Sequence, residues 1–250
     1  MRILHLTDTH LYDPGKPVAE RLHYGRIDPA KALDRVVERA QAMAPFDAIV
    51  HSGDASDDGS EGSYRLLRER LQSLAEGQAK RHGGAVPPVV IAMGNHDAPA
   101  AFARDSGREE GHPVTTVLPI PSGGRIIALD TSVAGAGWGT LDDDQLRWLD
   151  RELASHSDDR QHGTASGPTI VVMHHPPMSV ASRLFQALSL GSRTHGFGEA
   201  SAGASDDGAG SGADGCDFAQ RLADLLRGRA DAVLSGHLHH AATGECGGVP

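Results

Sequence analysis

Five short clusters of carboxylate, imidazole and amide residues carry the chemistry open to this chain, and each follows an apolar run. Met93-Gly94-Asn95-His96-Asp97 comes after Val89-Val90-Ile91. Asp8-Thr9-His10 comes after Ile3 to Leu6, and Ser52-Gly53-Asp54-Ala55-Ser56-Asp57 after Ala48-Ile49-Val50. His174-His175-Pro176-Pro177 ends the run Thr169 to Met173, and Gly236-His237-Leu238-His239 ends Ala232 to Leu234. Taken singly, each cluster reads as a turn or as one hydrogen-bonded histidine. Taken together they offer Asp8, His10, Asp54, Asn95, His174, His237 and His239 as candidate metal ligands, with His96 beside them.

These donors are oxygen and nitrogen, with no thiolate. Such a set suits Mn, Fe, Co or Zn in a reactive site rather than a cysteine-type structural zinc. Seven ligands are too many for one such ion and about right for two. Two ions roughly 3.5–4 Å apart can hold a hydroxide and polarise a phosphoryl group. Residues i and i+2 of an extended chain share a side, so Asp8 can converge with His10, and His237 with His239. Pro176 biases His175 towards an extended conformation, so His174 and His175 should face opposite ways and only one should be a ligand. Gly53 and Gly236 let the backbone turn where a Cβ would clash.

The elements that must position these residues are short strands alternating with amphipathic helices. Asp28-Pro29 marks a helix start with Leu33, Val36, Val37 and Ala40 on its apolar face, ended by Pro45. Ser60 caps a second helix in which Tyr64, Leu67, Leu71 and Leu74 recur. Val114–Ile120 and Arg125–Leu129 read as two strands joined by a Pro-Ser-Gly-Gly turn. Thr140 opens a helix carrying Leu146, Leu149 and Leu153, and Phe218, Leu222, Leu225 and Leu226 form a last one. The pattern is weak between Ala98 and Gly111. Alternation of this kind predicts an α/β fold with parallel pairing in its first half. Ligand sites in such folds lie beyond the carboxyl ends of the strands, which is where all five clusters fall.

The chain is read as one domain, 1–250. Residues 178–200 are a candidate lid over the site, with His195 a candidate substrate contact. Residues 201–215, almost all Gly, Ala, Ser and Asp, read as a flexible loop. Charged residues make up 22% and apolar residues 39% of the 250, which fits a globular protein. The formal net charge of -10 disfavours a long nucleic acid as partner. The N-terminus lacks the layout of a secretory signal, no run is long enough to span a bilayer, and the two cysteines read as reduced thiols, so a cytoplasmic location is expected. His5, His23, His51, His82, His112, His156 and His162 match no motif and read as surface or packing residues. His175 and His240 adjoin ligands and read as supporting ones.

With these blocks in hand, the sequence resembles the calcineurin-like metallophosphoesterase superfamily. The resemblance rests on Asp8-Thr9-His10, Gly53-Asp54-Ala55-Ser56-Asp57, Gly94-Asn95-His96-Asp97, His174, and Gly236-His237-Leu238-His239, and spans residues 3–239. The His174-His175-Pro176-Pro177 run and the general layout resemble its class III cyclic-nucleotide phosphodiesterase branch. The resemblance implies two packed mixed sheets flanked by helices, a four-layer sandwich. It implies that Asp8, His10 and His239 hold one metal, that Asn95, His174 and His237 hold the other, and that Asp54 bridges them. His96 would contact the phosphate and protonate the leaving oxygen, while Asp57 and Asp97 would orient these groups from behind.

Two divalent ions, the carboxylates of Asp8 and Asp54 and a bridging hydroxide leave one net positive charge, which suits a phosphodiester. The resemblance, with this charge count in support of a diester, implies hydrolysis of small phosphodiesters, foremost 3′,5′-cyclic nucleotides. A glycerophosphodiesterase or other small phosphoester hydrolase is the alternative, and a non-catalytic adaptor of the same fold the remote one. A protein phosphatase is disfavoured, because Asp58 and Asp97 stand where that branch has Arg and Glu. The chain stops eleven residues after His239, and family members continue further. Completeness of the second sheet, and a homodimer built on C-terminal elements, therefore stay open.

Overall fold

A computed structural model describes residues 1–161, 167–177, 213–239 and 241–250. The expected lid at 178–200 and His195 lie outside the described residues, as do 201–212 of the expected loop. The elements in chain order are β1 (Ile3–Leu6), a 3-10 turn (Val18–Arg21), α1 (Pro29–Gln41), β2 (Ala48–Ser52), α2 (Glu61–His82), β3 (Val89–Ala92) and α3 (Pro99–Ser106). There follow β4 (Thr116–Pro119), β5 (Arg125–Ala128), α4 (Asp143–Gln161), β6 (Thr169–Val172), α5 (Ala213–Leu226) and β7 (Ala232–Leu234). The last three residues of the expected loop thus belong to α5.

The described strands form two sheets, β1-β2-β3 and β4-β5-β6-β7. The first is all parallel; in the second only β4–β5 is antiparallel. The expected α/β fold with two packed sheets is borne out; among the described strands the first sheet is parallel and the second mixed.

Why the strands read as unbroken apolar runs follows from the layering. Ala48 and Val50 of β2 face the other sheet, while Ile49 and the half-buried Leu4 and Leu6 of β1 face α1, α2 and α3. In β6, Ile170 and Val172 face the first sheet and Val171 faces α4 and α5. Both faces of each sheet are covered, so the strands are mostly apolar on both faces, and the polar residues they do bury, such as His51 and Arg125, are hydrogen-bonded. The order is helices, sheet, sheet, helices, as the resemblance implies. Leu149 of α4 is fully buried in the layer between the second sheet and its helices. Leu149→Ala is expected to destabilise the fold by about 2–5 kcal/mol, read as a shift in urea midpoint at unchanged slope.

Helix starts are where the sequence and structure agree best. The Asp28 carboxylate accepts from Lys31 N at 3.2 Å, and Ser60 Oγ from Ser63 N at 3.2 Å. Three details differ. Helix α4 starts later than Thr140, because Asp142 does the capping through Gln145 N at 2.7 Å. Helix α1 ends at Gln41, four residues before Pro45. Helix α3 forms where the pattern was weak, with Pro99 in its first turn and a left-handed Gly107 as its stop. Its Phe102 packs edge-on against Tyr64, with ring centroids 5.3 Å apart. After β7 the chain folds back, and Val233 N donates to Pro250 O at 2.7 Å while Cys246 and Val249 join the core.

Candidate metal centre

The five clusters meet at the carboxyl ends of β1, β2, β3, β6 and β7. His10 Nε2 lies 3.1 Å from His239 Nε2 and 3.8 Å from Asp54 Oδ2. His239 Nε2 lies 3.3 Å from Asp8 Oδ1. On the other side of Asp54, His174 Nε2 is 3.2 Å from Asp54 Oδ2 and 3.1 Å from Asn95 Oδ1. Asn95 Oδ1 is in turn 3.0 Å from His237 Nδ1. Two groups of donors therefore share Asp54, which is itself buried.

The backbone explains how residues two apart converge, and the reason differs from the expected one. Asp8, His10, Asp54, His237 and His239 all have positive φ, between 45° and 73°. Convergence comes from left-handed turns at the strand ends, not from an extended chain. Non-glycine residues adopt that region at a cost and hold it where the surroundings over-determine it, which is a mark of functional sites. The glycines also act differently from one another. Gly53 has φ +103°, and a Cβ there would come 2.6 Å from His174 Nδ1. Gly236 has no such φ and is needed for close approach, since a Cβ would run into Thr7 Oγ1.

Hydrogen bonds fix the donors' orientation. His174 Nδ1 contacts the Ser52 carbonyl at 2.9 Å, and a carbonyl only accepts. A neutral His174 therefore carries its proton on Nδ1. Its bare Nε2 then faces the oxygens of Asp54 and Asn95, acceptor against acceptor. Without a metal, Asp54 raises His174 against its burial, so that a proton on Nε2 makes the contact. A divalent cation would take that proton's place between the same three donors, so the donor set fits a metal. Asp8 is steadied by Thr7 Oγ1 at 2.6 Å and His237 N at 3.1 Å.

Charges in the cluster follow the same logic. Burial opposes ionisation of Asp54, but its contacts with His174 and with the His96 N–H outweigh this and hold it far below the usual carboxylate range. Asp8 is likewise lowered against burial, by His239, His174 and Thr7. Burial lowers His10, whereas Asp8 raises His239. Both carboxylates thus stand ionised, and a buried pair of anions is stable only with cations beside it.

His96 sits at the rim, with its side chain 48% exposed. Its backbone N–H donates to Asp54 Oδ1 at 2.9 Å, and its ring meets that of His10 edge-on at 4.8 Å. Asp57 stands between the two histidines, 3.3 Å from His10 Nδ1 and 3.6 Å from His96 Nδ1. Tyr12 Oη donates to its other oxygen. Asp97 works elsewhere. It is buried and accepts from Gly94 N at 2.8 Å, Ser56 N at 3.0 Å and Ala55 N at 3.3 Å, which clasps the loops bearing Asn95 and Asp54. Burial pushes its carboxyl up to about 6 despite those donors.

The family follows from the sequence as a whole: the family model for calcineurin-like phosphoesterases matches residues 1–241. The chain belongs to the calcineurin-like phosphoesterase family. It is 32% identical over 99% of its length to a "Probable cyclic nucleotide phosphodiesterase" of Rhodococcus erythropolis, covering 68% of that protein. It is 33% identical over 99% of its length to the "cAMP/cGMP dual specificity phosphodiesterase MT0825" of Mycobacterium tuberculosis, covering 64% of it. A "Probable glycerophosphodiester phosphodiesterase GpdQ" of Arcobacter nitrofigilis is 26% identical over 97% of the chain, which covers 73% of it. No described helix is long and apolar enough to cross a membrane.

Members of this family work with divalent metals, and the clustered donors of this phosphoesterase agree with that. Two residues near its centre, His23 and Tyr12, are not picked out as site residues by the sequence, whereas His175 reads there as a supporting one. His23 stacks on the His10 ring at 5.4 Å, and Tyr12 is tied to Asp57. His175 is buried beside His237, with ring centroids 4.6 Å apart and Nδ1 2.8 Å from Thr131 Oγ1. Tyr12 has as its signal only its place two residues after His10, and His23 has none.

His51, wholly buried on β2, gives a pH prediction. Burial lowers its pKa from 6.5 to about 3. Below about 6.5 the unfolded chain takes a proton there that the folded chain refuses, so this group's contribution falls as pH drops through that window. His51→Gln is expected to flatten the loss of urea stability between pH 6.5 and 4 relative to the parent; an unchanged slope would contradict this.

Proposed function

We propose that this phosphoesterase hydrolyses phosphodiesters, with 3′,5′-cyclic nucleotides as its substrate class, at a centre holding two divalent cations. The observation that carries the reading is Asp54 Oδ2 lying between two donor groups, 3.2 Å from His174 Nε2 and 3.8 Å from His10 Nε2. Asp8, His10 and His239 would hold one cation and Asn95, His174 and His237 the other, with Asp54 shared. Mn, Fe, Zn and Co all suit these donors. Bound cations supply Lewis-acid polarisation of the phosphoryl group and an activated water.

The chain's own residues do the rest. Asn95 and His96 stand at the mouth and contact the phosphate. His96 gives a proton to the departing sugar oxygen, and Asp57, 3.6 Å from its Nδ1, orients the ring. His174 keeps its orientation through Ser52, and Asp97 holds the two loops in register. We read residues 1–250 as one domain, since both sheets contribute ligands to one centre.

Names of the two relatives at 32% and 33% identity support a cyclic nucleotide. Glycerophosphodiesters are the second reading, favoured by the GpdQ-named relative. An adaptor lacking catalysis is opposed by the full set of seven donors and His96. The test is a substrate panel of cyclic nucleotides, glycerophosphodiesters, monoesters and bis(p-nitrophenyl) phosphate, with Mn, Zn, Co and Fe in turn. Turnover of cyclic nucleotides above the others supports the reading. Turnover of monoesters alone, or none of bis(p-nitrophenyl) phosphate with metal bound, would refute it.

A further inference from the structure

An apolar cavity of about 390 Å³ opens beside the metal centre and shares Asp8, His10 and His239 with it. Away from those ligands it is lined by Tyr24, Ile27, Pro29, Leu33 and Val36. Val36 is the one residue of the expected apolar face of α1 that is not buried against the core. It is 41% exposed, as Ile27 is 54% and Tyr24 84%. Three large hydrophobic side chains therefore stand open to water around one hollow. Isolated exposed apolar residues need no explanation, but a contiguous group rimming a cavity next to polar ligands marks a binding site.

The backbone under this group is held in place. His23 and Ile27 form an antiparallel bridge, with His23 N donating to Ile27 O at 2.8 Å and Ile27 N to His23 O at 3.1 Å. Tyr24 stands in the tight loop so closed, with φ +50°. Among the described residues it is the one non-glycine with positive φ that is not a candidate metal ligand. That strain is not offset by burial of the ring. An aromatic side chain fixed in a costly conformation and left exposed has its use outside the chain's own packing.

The rings form a path from the centre outwards. His10 stacks on His23 at 5.4 Å with planes 28° apart, and His23 meets Tyr24 at 4.2 Å. We propose that Tyr24, with His23 behind it, is the platform on which the heteroaromatic base of a nucleotide stacks while its phosphate is held at the metal centre. This rests on the cyclic-nucleotide reading and adds the residues that would tell a nucleotide from an aliphatic diester. The fit is chemical. Bases stack on aromatic rings whatever their sequence identity, and away from the candidate ligands the cavity wall is mainly apolar, with Thr7, Thr9 and His23 as its other polar residues, so stacking dominates and the subsite recognises a base without choosing strongly among bases.

The test compares two ligands that differ only in the base. Metal-loaded protein is titrated calorimetrically with adenosine 5′-phosphate and with ribose 5-phosphate. The parent is expected to bind the first about tenfold or more tightly than the second, as stacking of one base implies. Tyr24→Ala is expected to remove most of that ratio by weakening only the base-bearing ligand, and Tyr24→Phe to keep it. Equal binding of the two ligands by the parent, or an unchanged ratio in Tyr24→Ala, overturns the proposal. So does equal weakening of both ligands, which would mean a general disturbance of the site. Because no turnover is needed, failure of cyclic-nucleotide hydrolysis in the substrate panel remains a separate result.

Discussion

Asp54→Ala is expected to lose both bound cations' shared ligand and with it nearly all activity, a fall of about 10³-fold or more if the cations supply several kcal/mol of stabilisation. The expectation follows from geometry: Asp54 Oδ2 lies between the two donor groups, 3.2 Å from His174 Nε2 and 3.8 Å from His10 Nε2. Its other oxygen accepts the His96 N–H at 2.9 Å, so alanine also frees the loop that carries His96. Asp54→Asn separates these effects, because an amide oxygen keeps that acceptor while the charge is gone. It is expected to fold as the parent does, to bind cations far more weakly, and to be almost as inactive. Metal content after gel filtration and kcat on bis(p-nitrophenyl) phosphate read both effects. An Asn variant with parental metal content and rate would contradict the assignment.

His96→Ala is expected to do the opposite: keep the metal and lose turnover. The ring is about half exposed and its link to Asp54 is through the backbone, so truncation at Cβ leaves the centre's own contacts intact. A proton donor to the leaving group contributes about 10²–10⁴-fold. The loss should be largest for a sugar leaving group and smallest for p-nitrophenolate, which departs without help. Measuring kcat for a cyclic nucleotide and for bis(p-nitrophenyl) phosphate in the same variant gives the contrast. Equal losses on the two substrates would make His96 a phosphate contact alone.

Much of this candidate centre was legible because short strands in a doubly covered sheet are mostly apolar on both faces. Polar residues at their ends then stand out, and Asp8, Asp54, Asn95, His174, His237 and His239 could be picked from one sequence. Hidden from the sequence was the means of convergence. Periodicity says nothing about a left-handed residue unless it is glycine, and five of the candidate ligands adopt that conformation without being glycine. Gly236 illustrates the reverse, a glycine whose need is close approach to Thr7 rather than a turn. Helix α3 was missed because eight residues, half of them small, show no apolar stripe; Pro99 and Gly107 were its only marks. Tyr24 and His23 were passed over for a related reason. Their place beside His10 is set by a bridge between His23 and Ile27 that no periodic pattern announces.

The account is tested most directly by anomalous diffraction from crystals grown with manganese, recorded on either side of the metal's absorption edge. Two peaks are predicted, about 3.5–4 Å apart. One should lie within ligand distance of Asp8, His10 and His239, the other of Asn95, His174 and His237, with an oxygen of Asp54 reaching both. A single peak, or peaks elsewhere with these side chains uncoordinated, would contradict the two-cation centre and the phosphodiesterase reading built on it.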